Sequence, residues 1–436
     1  MTRSIRIALA HVAALHAVSV AAPALPRPGE ESGRIDEIDE SPSTLRLIGR
    51  GLLFVPRTIV DVAFLPLRGG AYLVDRYQLL ERYRRRFTNE ARTMSLSPSV
   101  RLDSGFGFTV GARFVHRDLF GAREQVTLRG NFGGRYRERV TAEFDTGHRL
   151  GDRVSLRFGG EHERRPKDVF YGIGNEAMGP EVRHRQQLLR AKTALELRPV
   201  ADLHVRVAGS LTDLGYGASE YGTSIEMLYD TSTLVGWDGA RNLYGELALR
   251  WDSRRSGSPW ETPSFVSTGW LAELYAGRVH QLWDAADYWR YGFAAQRFFR
   301  ISAGPRVLAT RLQGEAIGDG DATFTELPQL GGALQLRGYP WDRFRDRVAA
   351  LGSVEYQWDL TRNMTASLFV DAGRVSPSLD ELSIDGMRVG YGVGLGVQTT
   401  TSFVGQASLA SSKDGGLFLN FTFDPVFRVS PREDRR

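Results

Sequence analysis

From Met94 onward, apolar side chains recur at every second position. Phe106, Phe108, Val110, Ala112 and Phe114 alternate with Gly107, Thr109, Gly111 and Arg113. Val126, Leu128 and Phe132 alternate with Gln125, Thr127, Arg129 and Asn131. The pattern returns in Val154-Leu156-Phe158, Leu203-Val205-Val207, Leu243-Leu247-Leu249-Trp251, Val389-Tyr391-Val393-Leu395-Val397 and Leu417-Leu419-Phe421-Phe423. A period of two marks β-strands, whose successive side chains point to opposite faces. Here one face is apolar and the other carries charge, amide, hydroxyl or glycine.

A soluble sandwich alternates too, but its strands are usually shorter. Strands of ~9–11 residues, joined by connections that alternate short and long, are the signature of a membrane barrel. The short connections are HRLGDR, PVAD, ISAGPR, DLTRN and TTTS, and the long ones fall in 162–184, 213–242 and 317–347. Phe120, Trp251, Trp270, Trp289, Trp358 and Phe427 stand near strand ends, where aromatic girdles form. Eleven strands precede the last long loop and five follow it. The expected fold is all-β, a transmembrane antiparallel β-barrel of about 16 strands with a short N-terminal helical segment.

Before Met94 the pattern differs. Residues 1–24 read as a signal peptide, with Arg3 and Arg6 ahead of an apolar core from Ile7 to Val20 and small residues at its end. Residues 25–43 form an acidic linker bounded by prolines. Residues 44–93 read as an amphipathic helical segment. One helix starts near Leu45, Pro66 and Gly69-Gly70 break the pattern, and a second helix over 71–86 ends on Arg84-Arg85-Arg86. These helices fit either a small packed domain or a pair lying on the membrane or under a barrel mouth. The barrel is expected over 94–427, with residues 428–436 as a polar tail.

Composition narrows the chemistry. The 436 residues include no Cys, which excludes disulfides, thiolate metal sites and cysteine nucleophiles. The net charge of +5 comes from dispersed arginines, a poor footprint for nucleic acid, which is not expected as a partner. No segment offers ~18 uncharged apolar residues for a helical span. Asp319-Gly320-Asp321 starts like a calcium loop without its ligand ladder, and Gly392, Gly394 and Gly396 sit mid-strand with no helix behind them. No metal, cofactor or catalytic residue is expected. The histidines 116, 148, 162 and 184 are read in or near turns and loops, His204 on the lumen side of a strand and His280 near a strand end.

One segment needs more than barrel building to explain it. Leu336-Arg337-Gly338-Tyr339, with Gly331-Gly332 before it, lies in the last long loop. Phe369-Val370-Asp371-Ala372-Gly373 and the glycine-rich 390–396 follow, and Asp252-Ser253-Arg254 with Gly269-Trp270 precedes. This set, spread over roughly 94–427, resembles the outer-membrane assembly-factor superfamily of BamA- and TamA-like barrels, the bacterial surface antigens. The resemblance is to the subset without POTRA domains, since 25–93 has no strand pattern for them. It implies a loop folded back into the lumen.

Alternation itself puts Ser367, Phe369 and Asp371 inside if Met364, Ala366 and Leu368 face lipid, and puts Glu355 and Gln357 inside if Val354, Tyr356 and Trp358 face out. The expected loop lock is therefore Arg337, Gly338 and Tyr339 against Glu355, Asp371 and Gly373, with Arg337 forked onto the carboxylates.

Three functions compete. The first is an outer-membrane barrel that aids insertion or assembly of proteins or lipids through a lateral seam. That seam is expected between the first and last strands, at Pro98, Val100, Gly415, Gly416, Leu419, Phe421 and Phe423. Its partners would be the outer-membrane lipid bilayer and unassembled outer-membrane proteins, with a second copy or a separate POTRA-bearing chain left open. The second is a translocation or diffusion pore with anion preference set by arginines 113, 129, 139, 153 and 157. The third, an outer-membrane hydrolase, would need His204 or His162.

Overall fold

A computed structural model describes residues 85–427 except 104–106, 177–178, 257–265, 284–285, 302–305, 362–363, 399–402 and 424, together with Tyr77, Gln78 and Arg82. The expected signal peptide, acidic linker, most of the helical segment and the polar tail lie outside these residues. Arg82 and Arg85–Phe87 are helical, and Thr88–Thr93 form the turn into the first strand. There the Asn89 side-chain oxygen accepts the Met94 N–H at 2.8 Å.

Sixteen wall strands follow among the described residues. They are β1 (Met94–Asp103), β2 (Gly107–Arg117), β3 (Gln125–Phe132), β4 (Glu138–Asp145), β5 (Val154–Phe170) and β6 (Val182–Val200). Next come β7 (Leu203–Ala218), β8 (Ala240–Asp252), β9 (Val266–Gln281), β10 (Tyr288–Arg300) and β11 (Arg306–Gly318). After the longest loop come β12 (Val348–Thr361), β13 (Met364–Ser376), β14 (Arg388–Gln398), β15 (Phe403–Ser412) and β16 (Leu417–Thr422). Each strand pairs antiparallel with the next, so the wall is one uninterrupted meander. β1 and β16 approach within 8 Å between Cα atoms, which brings the two ends of the wall together as in a barrel. Eleven strands precede the long loop and five follow it.

The two faces differ as the period of two requires. Leu128, Leu247, Leu274, Val354, Leu368, Val370, Tyr391 and Val393 are exposed on the outer face. Glu161, Glu163, Glu246, Glu273, Arg311, Glu355 and Asp371 are buried on the inner one. Apolar residues facing outward and charges facing inward suit a wall with lipid outside and a polar lumen.

Several local expectations are corrected. β5, β6, β7 and β9 run to 17, 19, 16 and 16 residues, so the loops shrink to 171–181, 219–239 and 319–347. Beyond the apolar band these strands carry Arg164, Arg165 and Lys167, and their ladder continues without an apolar face to mark it. Met364 and Ala366 keep the outward register of exposed Leu368 but are themselves buried. Ala366 is small and stands in register between Trp358 and Leu395, whose larger side chains cover it. Arg153 lies exposed in a turn, not along the lumen. His162 sits mid-strand on the exposed face, and His184 is buried in β6. Phe427 is no girdle residue, because it is buried after the last strand.

Candidate functional site: the lumenal loop and the seam

The loop between β11 and β12 turns inward. A two-residue ladder, Gln329–Leu330 against Phe344–Arg345, closes its stem. Leu330, Leu336, Tyr339 and Phe344 then pack with Ala349, Leu351 and Val375 in one buried cluster. Burying this much apolar surface holds the loop along the wall.

At the tip, Arg337 is 0% exposed. Its Nε and Nη2 donate to the two Asp371 oxygens at 2.7 and 2.9 Å, a forked geometry. Its backbone N–H adds a third bond to Asp371 at 3.0 Å, and Nη1 donates to Glu355 at 2.6 Å. The guanidinium carbon lies 3.4 Å from the Phe369 ring centroid, so cation–π attraction adds to the ion pairs. Gln357 Nε2 donates to the other Glu355 oxygen at 3.0 Å. Two carboxylates and a ring thus surround one cation. Such a buried group is tolerated because its donors are met.

The close approach depends on glycine. A Cβ on Gly390 of β14 would stand 1.6 Å from the Arg337 carbonyl oxygen, and one on Gly338 would stand 2.3 Å from the Ser411 oxygen. Gly338 also holds φ +94°, which side chains disfavour. Leu330 lies over Gly373, where a Cβ would be 2.9 Å from its Cδ1.

Tyr339 extends the contact past β14 and β15 to the next turn. Its hydroxyl donates to Asp414 at 2.7 Å, in the turn between β15 and β16. Arg388 Nη1 also donates to Asp414 at 3.0 Å, and Arg388 Nη2 donates to Glu176 at 2.7 Å and to the Asn175 carbonyl at 2.8 Å. Burial and the Asp414 bond push the Tyr339 hydroxyl up to about 12. Burial alone would raise Asp414, but its bonds from Tyr339 and Arg388 outweigh this and hold it below the usual carboxylate range. Arg388 and Asp414 escape sequence reasoning. The only signal was a charge immediately before Gly415-Gly416.

At the seam, Pro98 and Val100 lie exposed on β1, and Leu419 and Phe423 are exposed along the β16 end of the wall. Phe421 is half-buried between them. Gly415 and Gly416, with φ +91° and +89°, form the turn that starts β16. β16 has six residues, and no register pairs join it to β1 among the described residues. Pro98 has no N–H to offer either neighbour. Six residues span ~20 Å along the strand, and ~14 Å of membrane depth at a tilt of ~45°, against a hydrocarbon core of ~30 Å.

Five arginines of the inner face are paired with carboxylates. Arg139 meets Glu161 at 2.7 Å, Arg157 meets Asp145 at 3.2 Å, and Arg165 meets Glu163 at 2.5 Å. Arg250 meets Glu273 at 2.5 Å and Arg290 meets Glu315 at 3.0 Å. His204 shares a 2.9 Å contact with Glu196. A cavity of about 470 Å³ lies among His204, Arg254, Phe298, Glu355 and Phe427.

The family model described as the Omp85 superfamily domain matches residues 118–405. Among solved structures the chain is similar to BamA from Haemophilus ducreyi lacking POTRA domains 1-3, with a TM-score of 0.57 and 16% identity over 76% of this chain and 69% of that one. It is similar to CdiB from Escherichia coli, with a TM-score of 0.50 and 11% identity over 75% of this chain and 62% of that one. For CdiB from Acinetobacter baumannii the TM-score is 0.48, with 12% identity over 75% of this chain and 58% of that one. The chain spans less than two thirds of either CdiB chain. No curated protein sequence matches it. At such identities the structural likeness speaks for the fold. The family match, which runs from the turn after β2 into β15 and takes in the whole inward loop, decides the rest: this chain belongs to the Omp85 superfamily.

Proposed function

We propose that this protein is an outer-membrane insertase, a barrel that aids insertion or assembly of proteins or lipids through the joint between β1 and β16. The observation that carries this reading is the contrast at that joint. Every other neighbouring pair of wall strands is zipped by a ladder, while the six-residue β16 has none to β1 among the described residues. A strand edge outside any ladder is a template for another strand. A short wall there would also thin the bilayer locally. Strand pairing, rather than bond making, then supplies the free energy.

In this reading the Arg337–Asp371–Glu355 clasp keeps the inward loop against β12 and β13, so that this stretch of wall stays rigid while the seam opens. The clients are unassembled outer-membrane β-proteins. The pore alternative draws less support, because, of the arginines expected to select anions, Arg139 and Arg157 are matched by carboxylates and Arg153 lies in an exposed turn.

The chain has no cysteine, so paired cysteines between residues 97–100 and 417–421 can be introduced without background. Oxidation of such pairs in proteoliposomes is expected to stop insertion of an unfolded barrel substrate and leave this barrel folded. Insertion that continues after complete crosslinking rejects the reading.

A further inference from the structure

The chain after β16 does not continue along the wall. Val426 and Phe427 are 4% and 7% exposed and pack with Phe298, Val307 and Ala309 from β10 and β11. The Phe427 ring meets Phe298 edge-on at 5.5 Å, and the Arg311 guanidinium lies 5.4 Å from its centroid. Phenylalanine at 298 is out of place in a polar lumen unless an apolar group covers it.

Main-chain carbonyls are gripped as well. Arg311 Nη1 donates to the Val426 oxygen at 2.9 Å. Gln296 Nε2 donates to the Phe427 oxygen at 3.0 Å, and Arg254 Nη1 reaches the same oxygen at 3.4 Å. Arg254 is itself aimed by Asp252, at 2.8 and 2.7 Å, and donates to the Gln296 side-chain oxygen at 3.1 Å. This gives the Asp252-Ser253-Arg254 motif a task inside the lumen. Arg311 Nη1 also donates to the carbonyl of Leu334, three residues before Arg337, at 2.9 Å, while Nη2 holds Ser353 at 3.0 Å.

We propose that Arg254, Gln296, Phe298 and Arg311 form a peptide-binding site in the lumen whose resident occupant is this chain's own Pro425–Phe427. Arg311, bonded to Val426 and Leu334 at once, couples occupancy of that site to the position of the inward loop. Donors fixed in space for two successive carbonyls, beside an apolar slot for one ring, define a short peptide with an aromatic side chain as the ligand. Docking holds the chain just past β16 in the lumen. Release would free the end of β16 to pair, and this last consequence rests on the seam reading above.

The test uses the full-length barrel with one introduced thiol at a time. Val426→Cys keeps a small apolar side chain and the gripped carbonyl. Its reaction with a bulky maleimide is compared with that of Asp152→Cys in an exposed turn, and heat-modifiable migration checks folding. The thiol at position 426 is expected to react at least about tenfold more slowly than the one at position 152, and adding Phe298→Ala or Arg311→Gln should speed it toward the control. Equal rates at the two positions overturn the docked segment. Protection that survives both substitutions overturns the assigned site. A Gln335→Cys reporter reads the coupling: Arg311→Gln should change its rate, and no change overturns the link to the loop. None of these rates needs a client, so the site can fail while insertion through the seam stands, or the reverse.

Discussion

Arg337 and Asp371, thirty-four residues apart in sequence, are joined by three hydrogen bonds, two from the guanidinium and one from the backbone N–H. Both side chains are fully buried. Removing either partner leaves the other charge desolvated and unmatched, which costs about 3–5 kcal/mol. Arg337→Ala and Asp371→Asn are therefore expected to lower the temperature at which the folded form is lost on heat-modifiability gels. Arg337→Lys should recover only part of the loss, because an ammonium cannot reproduce the fork. A barrel with unchanged melting in all three variants would deprive the clasp of any structural weight.

Gly390→Ala should behave like loss of the arginine. Its Cβ would meet the Arg337 carbonyl oxygen at 1.6 Å, so the loop or the strand must move. Gly415→Ala is the contrast: nothing lies within 4 Å, and only its φ of +91° is strained, at about 1–2 kcal/mol. Protease cleavage of the inward loop should rise sharply for the first variant and stay near wild type for the second.

Tyr339→Phe removes the bond to Asp414 and leaves the ring packed on Phe344, 5.1 Å away. Asp414 keeps its partner Arg388. The expected cost is about 1 kcal/mol, well short of that for Arg337→Ala. Urea unfolding of both variants under one set of conditions compares the two contacts directly.

Glu124, in the turn between β2 and β3, gives a pH signature. Burial opposes its charge, but the N–H groups of Phe120 and Ala122 and the Arg149 guanidinium outweigh this and bring it from 4.5 down to about 2. A carboxylate lowered in the folded state stabilises it fully above the unfolded value. That contribution fades as pH falls from 4.5 toward 2. Glu124→Gln should remove this part of the acid dependence, so the melting temperatures of the two proteins converge at the acid end. Parallel curves would mean that the turn's hydrogen bonds do not persist in the bilayer.

The arginine-rich lumen can be tested by planar-bilayer conductance. With Arg139, Arg157, Arg165, Arg250 and Arg290 each beside a carboxylate, small erratic openings without strong anion preference are expected. A large, steady, anion-selective current would instead revive the diffusion pore.

Much of this could be read in one dimension because a strand's facing is a local property. Alternation placed Glu355 and Asp371 on the inner face, and the count of eleven strands before the loop and five after it follows from periodicity and turn residues. Periodicity failed where it had nothing to mark. The upper parts of β5 and β6 carry charged or polar residues on both faces, so their length escapes the alternation, and the burial of Ala366 depends on its cross-strand neighbours Trp358 and Leu395.

The residues alone therefore determined the strand pattern and the inward carboxylates, since each depends on neighbours one or two positions away, whereas the inward course of the Arg337 loop was legible only through the family resemblance. Only the tertiary structure decided which distant groups share a partner: Asp414 with Tyr339 and Arg388, and Arg311 with Leu334 and Val426. Those meetings arise because the long loop and the chain after β16 both turn inward across the curved wall. A sequence states which way each side chain points, whereas the curvature of the wall determines what it reaches.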